Sequence, residues 1–281
     1  LKSFFAKPDT HVPYHDDTAL RLFCKVVRDQ RPDILLDLGD SVDFWQLSFH
    51  EKVLARRDLQ YELDCANEVL DRLDALPVKQ KIITLGNHEY RWERALQAGA
   101  GPFAALRSNT LDAQLHFEAR SWQVVPYKQD IGVGKLRVSH EYDRCGRNAH
   151  EQAIADVMGN ALIGHTHSLG TVYRGNATGE SHVGIAAGWL GDVDNIDYKH
   201  RTRALREWHL GFVHGCVMPN GLVYATAVPI IRVGRQYTCV VNGSYYSEER
   251  TEASRRRDSA QLVLFDDDEL SITEADIIET E

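Results

Sequence analysis

Lys81-Ile82-Ile83-Thr84-Leu85-Gly86-Asn87-His88-Glu89 is an apolar run that stops at a glycine and three side chains able to hold a cation or move a proton. Lys81–Leu85 reads as a buried strand, with a helix expected from near Tyr90. Alone, Gly86–Glu89 is no more than a turn before a helix. The same arrangement recurs along the chain, however. Ser3–Lys7 and Ile34–Leu38 are further buried strands, followed by Asp9-Thr10-His11 and by Gly39-Asp40-Ser41-Val42-Asp43. His140 ends an expected strand at Leu136–Ser139, and Gly164-His165-Thr166-His167 follows a short one at Ala161–Ile163. Glycines precede three of these clusters, as expected where strand ends must leave room for ions.

Amphipathic helices are expected at about Asp17–Asp29, at Leu59–Leu76 and at Arg147–Met158. In the second of these, Leu59, Leu63, Ala66, Leu70 and Leu73 recur at three- and four-residue spacing. Trp122–Pro126 adds a strand. Beyond Gly164 the chain turns mostly β, with strands at Thr171–Tyr173, His182–Ala187, Phe212–Val217, Leu222–Ile231 and Tyr237–Val241. Pro219-Asn220-Gly221 and Asn242-Gly243 supply turns. Periodicity alone therefore supports an α/β fold with an additional antiparallel region.

The 281 residues, 43% of them hydrophobic, suit one domain with a tail, divided here into residues 1–246 and 247–281. The net charge of −9 is unevenly spread: Glu248–Glu281 holds 12 acids and 4 bases, so the preceding residues carry about −1. A charged tail on a nearly neutral domain leaves nucleic acid open as a partner. The charged stretch from Ser247, poor in long apolar patterns, is expected to be flexible. No apolar run approaches the roughly 20 residues of a membrane span, and the start lacks a secretory-signal pattern. Five scattered cysteines without a Cys-x-x-Cys pair point to reduced thiols in a cytoplasmic protein.

The clusters share a chemistry. Two divalent ions about 3.5–4 Å apart need a bridging carboxylate, with imidazoles and oxygen donors completing each shell. Asp9 and His11, two apart at a strand end, can grip one ion. Asp40 is the best bridge; Asn87, His140 and His165 suit the second ion, and His167 returns to the first. Without thiolates the set suits Mn, Fe, Zn, Co or Ni. Each fragment alone has a bland reading, such as a half-buried polar His140. All five in this order are hard to attribute to coincidence.

The series D-x-H, G-D-x-x-D, G-N-H-E, H and G-H-x-H over residues 9–167 resembles that of the calcineurin-like metallophosphoesterase superfamily. The resemblance implies a four-layer α/β/β/α sandwich. It implies Asp9, His11, Asp40 and His167 on one ion, and Asp40, Asn87, His140 and His165 on the other. It also implies His88 as the catalytic histidine, Asp43 as its orienting carboxylate, and Mn²⁺ first among the metals by family habit. The reaction expected is in-line attack on phosphorus by a water acidified between the ions, with His88 protonating the leaving oxygen or binding a phosphate oxygen.

The substrate is less legible. Protein phosphatases of the superfamily follow the second motif with Arg-Gly, whereas Phe44-Trp45 stands here; the rings could stack a base but read first as core. In Tyr90-Arg91-Trp92-Glu93-Arg94, Arg91 could reach a phosphate and Trp92 a base, or the segment is a solvated amphipathic helix. Lys199-His200-Arg201-Thr202-Arg203 with Arg206 could track a nucleic-acid backbone or be a solvated face. The histidines at 15, 50, 116, 150, 182, 200, 209 and 214 read as structural. Gln261-Leu262-Val263-Leu264-Phe265 resembles the bacterial sliding-clamp-binding pentapeptide, with Gln261, Leu262, Leu264 and Phe265 as anchors; a short strand folded onto a sheet edge is the alternative. The leading expectation is a DNA phosphodiesterase or nuclease of replication or repair. Its rivals are a phosphomonoesterase acting on nucleotides, small molecules or phosphoproteins, and a non-catalytic scaffold, which would be expected to show eroded ligands.

Overall fold

In the computed structural model, which describes residues 1–48, 58–196 and 207–251, the first strand already shows the layering. Phe4 and Ala6 turn to one apolar cluster and Phe5 to another. Leu35 and Ile83 repeat the second direction, while Ile34, Leu36 and Ile82 repeat the first. A sheet buried on both faces needs continuous apolar strands, which is why these runs do not alternate with polar residues.

In chain order the first half comprises β1 (Lys2–Lys7), α1 (Asp17–Gln30), β2 (Ile34–Asp37), α2 (Leu59–Asp74), β3 (Gln80–Thr84), α3 (Asn87–Gly99), α4 (Leu111–Leu115) and β4 (Trp122–Val125). There follow β5 (Ile131–Val133), β6 (Leu136–Val138), α5 (Ala149–Val157), β7 (Asn160–Ile163), β8 (Leu169–Gly175) and β9 (Ser181–Ala187). The last strands are β10 (Gly211–Val217), β11 (Val223–Pro229), β12 (Ile231–Val233), β13 (Gln236–Val241) and β14 (Ser244–Glu249).

One sheet has the order β11-β10-β1-β2-β3-β4 and a second the order β5-β6-β7-β9-β8. Their facing sides make a single core, with Phe4, Leu36 and Val213 against Leu136, Leu162 and Ile185. On the outer side of the larger sheet lie α1 and α2, through Leu20, Phe23, Leu63 and Leu70. On the outer side of the smaller lies α5, whose Ala149 and Ala153 meet Ala161 and Ala186. The molecule is thus the four-layer α/β/β/α sandwich implied by the motif series.

Several local features differ from the sequence expectation. Helix α3 starts at Asn87 rather than Tyr90, because Gly86 caps it and Glu89, at the third helical position, accepts the Gly86 N–H at 2.8 Å. The run Leu222–Ile231 divides at Ile230, whose N–H turns to Leu210 O at 2.9 Å, and β12 then joins a separate sheet, β12-β13-β14. That small sheet covers α1: Tyr237 donates to Asp16 Oδ2 at 2.7 Å, and Arg21 reaches Glu248 at 3.1 Å. Strand β14 consequently runs past Ser247, where the charged composition begins. The basic cluster at 199–206, His50 and the clamp-like peptide at 261–265 lie outside the described residues.

Parallel pairing decides where chemistry can collect. β1, β2 and β3 run parallel (Lys7↔Asp37, Asp37↔Ile83), and so do β6 and β7 (Val138↔Leu162). Their carboxyl ends open to one edge of the sandwich, the place where α/β sheets bind ligands.

Candidate metal centre

Three of the five clusters leave their strands through bends that only close support can hold. His11, Asp40, His165 and His167 have φ of 50°, 44°, 61° and 55°, a left-handed conformation costly for residues with a Cβ. Shared hydrogen bonds impose it: the Thr10 and His11 N–H groups both donate to Asp40 O (3.1 and 2.9 Å), and Leu190 N–H donates to Asp9 O (2.7 Å). Two glycines are there for space. A Cβ on Gly86 would collide with Asp40 Oδ1, and one on Gly164 would lie 2.5 Å from Asp9 Oδ1.

All seven expected ligands meet at this edge. Asp9, His11 and His167 form one group and Asp40, His140 and His165 another, each with its donor atoms within 4.8 Å of one another. His11 Nε2 is 3.0 Å from His167 Nε2, and His167 Nε2 is 3.2 Å from Asp9 Oδ2. His140 Nε2 is 3.3 Å from Asp40 Oδ2 and 3.2 Å from Asn87 Oδ1. Asp40 Oδ1 accepts the His88 N–H at 2.9 Å, which ties the second cluster to the third.

The residues fit a pair of cations. His140 donates Nδ1–H to Leu38 O (2.7 Å) and His11 donates Nδ1–H to Asp43 Oδ1 (3.0 Å), so both Nε2 lone pairs face inward at other acceptors. Asp9 Oδ2 is buried, with the Nε2 atoms of His167 and His11 at 3.2 and 3.9 Å. Acceptors at about 3 Å from one another are stable only around positive charge. Protons meet part of that need where no metal is held. Burial would lower His140, but the Asp40 carboxylate outweighs it and raises the imidazole to about 10. Burial likewise opposes ionisation of Asp40, yet His140 and then His88 hold it well below the usual range. His167, where burial prevails over Asp9, falls to about 4 and is ready to bind as a neutral ring.

Beside this cluster stands the expected proton donor. His88 Nδ1 lies 2.7 Å from Asp43 O and 3.2 Å from Asp43 Oδ1, so Asp43 orients both His88 and His11. Arg91 is not a solvated arginine: it donates to Asp43 O at 2.8 Å and to His88 Nε2 at 2.9 Å. The aromatic residues after the second motif are core. Phe44 is fully buried and packs on Trp92 (5.6 Å between centroids), Trp45 is buried, and the Trp92 indole N–H is held by Asn109 O. Base stacking by Phe44 or Trp45 is therefore set aside.

Further residues, with no role expected from the motif series, hold the site together. The buried Glu89 carboxylate accepts the N–H groups of Gly86, Asp40, Ser41 and Val42 at 2.8, 2.9, 2.8 and 3.2 Å, fastening the bridging loop to α3. The fully buried Lys7 ammonium meets Asp37 at 3.1 Å and Thr10 and Ser41 at 3.0 and 3.2 Å, joining the first two clusters from below. His167 is stacked on Trp189 (4.9 Å) and edged by Trp208 (4.3 Å). The only sequence signal was for Glu89, at the third position of a helix start.

No curated protein sequence matches the chain. Among solved structures, a single mutant of Vps29 from Entamoeba histolytica aligns over 88% of this chain and 98% of its own, with 13% identity and a TM-score of 0.42. Vps29 from Cryptosporidium parvum aligns over 89% and 96%, with 12% identity and a TM-score of 0.42. The sequence model for calcineurin-like phosphoesterases matches residues 8–210, a span that contains all seven expected ligands together with Asp43 and His88. The chain belongs to the calcineurin-like phosphoesterase family.

Proposed function

We propose that the protein is a cytoplasmic two-metal phosphodiesterase that cleaves DNA in replication or repair, with Mn²⁺ as its working ion. The observation that carries hydrolysis is the inward-facing set of lone pairs, Asp9 Oδ2 and the Nε2 atoms of His11 and His140, with His88 alongside. Asp9, His11, Asp40 and His167 would hold one ion, and Asp40, Asn87, His140 and His165 the other. When bound, such ions supply an acidified water and offset charge on the phosphoryl oxygens. His88 takes its orientation from Asp43, and its Nε2 lies 2.9 Å from Arg91 and 3.8 Å from Asp40 Oδ2. A phosphate oxygen is a better acceptor for the guanidinium than an imidazole nitrogen. Arg91 thus turns to the substrate and frees His88 Nε2 to carry a proton to the leaving oxygen.

Support for DNA comes from the sequence. Gln261–Phe265 would tether the enzyme to a sliding clamp, raising its local concentration on DNA without tight binding by the catalytic domain. The phosphate clamp would come from Arg91 on α3 and not from an Arg-Gly after the second motif. The ligands and His88 are all present, unlike the eroded site expected of a scaffold. The test is to incubate Mn²⁺-loaded protein with labelled single- and double-stranded DNA and, separately, with aryl mono- and diesters. Cleavage of DNA and diesters is expected. Turnover of monoesters with no cleavage of any DNA form would establish the phosphomonoesterase instead.

A further inference from the structure

We propose that Glu141 is a positioning residue of the centre, accepting the Nε2–H of His165 and thereby turning Nδ1 of that ring toward the ion shared with Asp40 and His140. The inference rests on the two-metal reading. Glu141 directly follows His140, and its side chain is only 10% exposed, with Oε2 lying 3.7 Å from His165 Nε2. Its other oxygen is held from behind by the Tyr127 hydroxyl, and the Tyr127 ring stacks on Tyr90 of α3 at 5.1 Å. Burial and then Glu141 itself push the Tyr127 phenol above its usual range, so it stays a donor at neutral pH. A carboxylate fixed on one side this way has its second oxygen aimed at the imidazole.

The other ligand rings show what such an anchor does. His11 is anchored through Nδ1 by Asp43 and His140 through Nδ1 by Leu38 O, leaving Nε2 for the ion. His165 is the reverse case: its Nε2 faces a carboxylate, so Nδ1 is the atom left to bind. A small rotation of the ring on ion binding closes 3.7 Å to a hydrogen bond, and the anchored tautomer is a better ligand. A ligand histidine that loses such an anchor typically costs its ion about 10–100-fold in affinity.

The test titrates metal-free protein with Mn²⁺, following heat and the electron paramagnetic resonance signal of free Mn²⁺, for wild type, Glu141→Ala, Glu141→Gln and Tyr127→Phe. Wild type should bind two ions; failure to do so would defeat the two-metal reading before any variant is compared. Glu141→Ala should weaken one of the two steps about 10–100-fold, with Tyr127→Phe weakening the same step less. Glu141→Gln, which keeps an acceptor, should recover part of the loss. The proposal is overturned if Glu141→Ala leaves both steps unchanged or weakens both alike. It is overturned equally if Glu141→Gln loses as much as Glu141→Ala, because charge and not orientation would then be the cause.

Discussion

Replacing Glu89 by Gln exchanges one carboxylate oxygen for an amide NH₂ and should loosen the whole centre. Oε2 of the carboxylate serves the N–H groups of Gly86 and Asp40, and Oε1 serves those of Ser41 and Val42. Burial pushes this carboxyl upward, while the backbone donors at Gly86 and Val42 pull the other way; four donors at two oxygens favour the ionised form, whose oxygens accept without a competing O–H. A glutamine keeps one oxygen and turns an NH₂ toward the other pair of donors. Hydrogen bonds to a charged group contribute about 1.5–3 kcal/mol each, so losing two costs about 3–6 kcal/mol. That is a large part of the roughly 5–15 kcal/mol typical of a domain. The bridging Asp40 is fastened through the same loop, so Mn²⁺ affinity should fall about 10–100-fold with it. Urea unfolding of the metal-free protein gives the first quantity and calorimetric titration the second. A Glu89→Gln protein within about 0.5 kcal/mol of wild type, binding Mn²⁺ normally, would show that Glu89 is a neutral carboxylic acid and refute the reasoning.

Other perturbations separate the roles of neighbouring groups. His88→Ala should keep both ions and lose most turnover, so wild-type rates in that variant would remove His88 from the mechanism. Arg91→Ala should lower kcat/KM on DNA about 10–100-fold, as expected for a lost charge-assisted contact; an unchanged value would mean that Arg91 does not leave His88 for the substrate. Gly164→Ala should abolish binding of the first ion, because the new Cβ falls 2.5 Å from Asp9 Oδ1, while a two-ion stoichiometry in that variant would contradict the crowding. Glu62, buried near Asp43, is raised by burial from 4.5 to about 9. Between those values the folded state binds more protons than the unfolded, so stability falls as pH rises, by about 1.4 kcal/mol per pH unit. Metal-free wild type should therefore lose roughly 2–3 kcal/mol relative to Glu62→Gln between about pH 6 and 8. A pH-independent difference in urea unfolding would argue against the shift.

The parallel strands and their polar ends were legible because each is a local signal. Phe4–Ala6, Ile34–Leu36 and Ile82–Ile83 are apolar without alternation, and Asp9, Asp40, Asn87, His140 and His165 follow such runs directly. Less local features were not. Strand β14 reads as polar because only Tyr246 is buried and Glu248 is met by Arg21, a partner more than two hundred residues away. Ile131–Val133 is too short to show a period. The split at Ile230 depends on where Leu210 lies, which no window of sequence contains. Glu62 and Glu141 carry no signal in the sequence and Glu89 only its place in the Gly86–Glu89 cluster, so tertiary contacts give all three their roles. Arg91 read equally well as solvated or as part of the site, and only its long-range bond to Asp43 and its bond to His88 show where it lies.

The most direct test is anomalous scattering at the manganese edge from crystals soaked in Mn²⁺. Two peaks about 3.5–4 Å apart are expected. One should lie among Asp9, His11, Asp40 and His167, the other among Asp40, Asn87, His140 and His165. Empty density between those side chains after soaking, or manganese bound only elsewhere on the surface, would contradict the dinuclear centre.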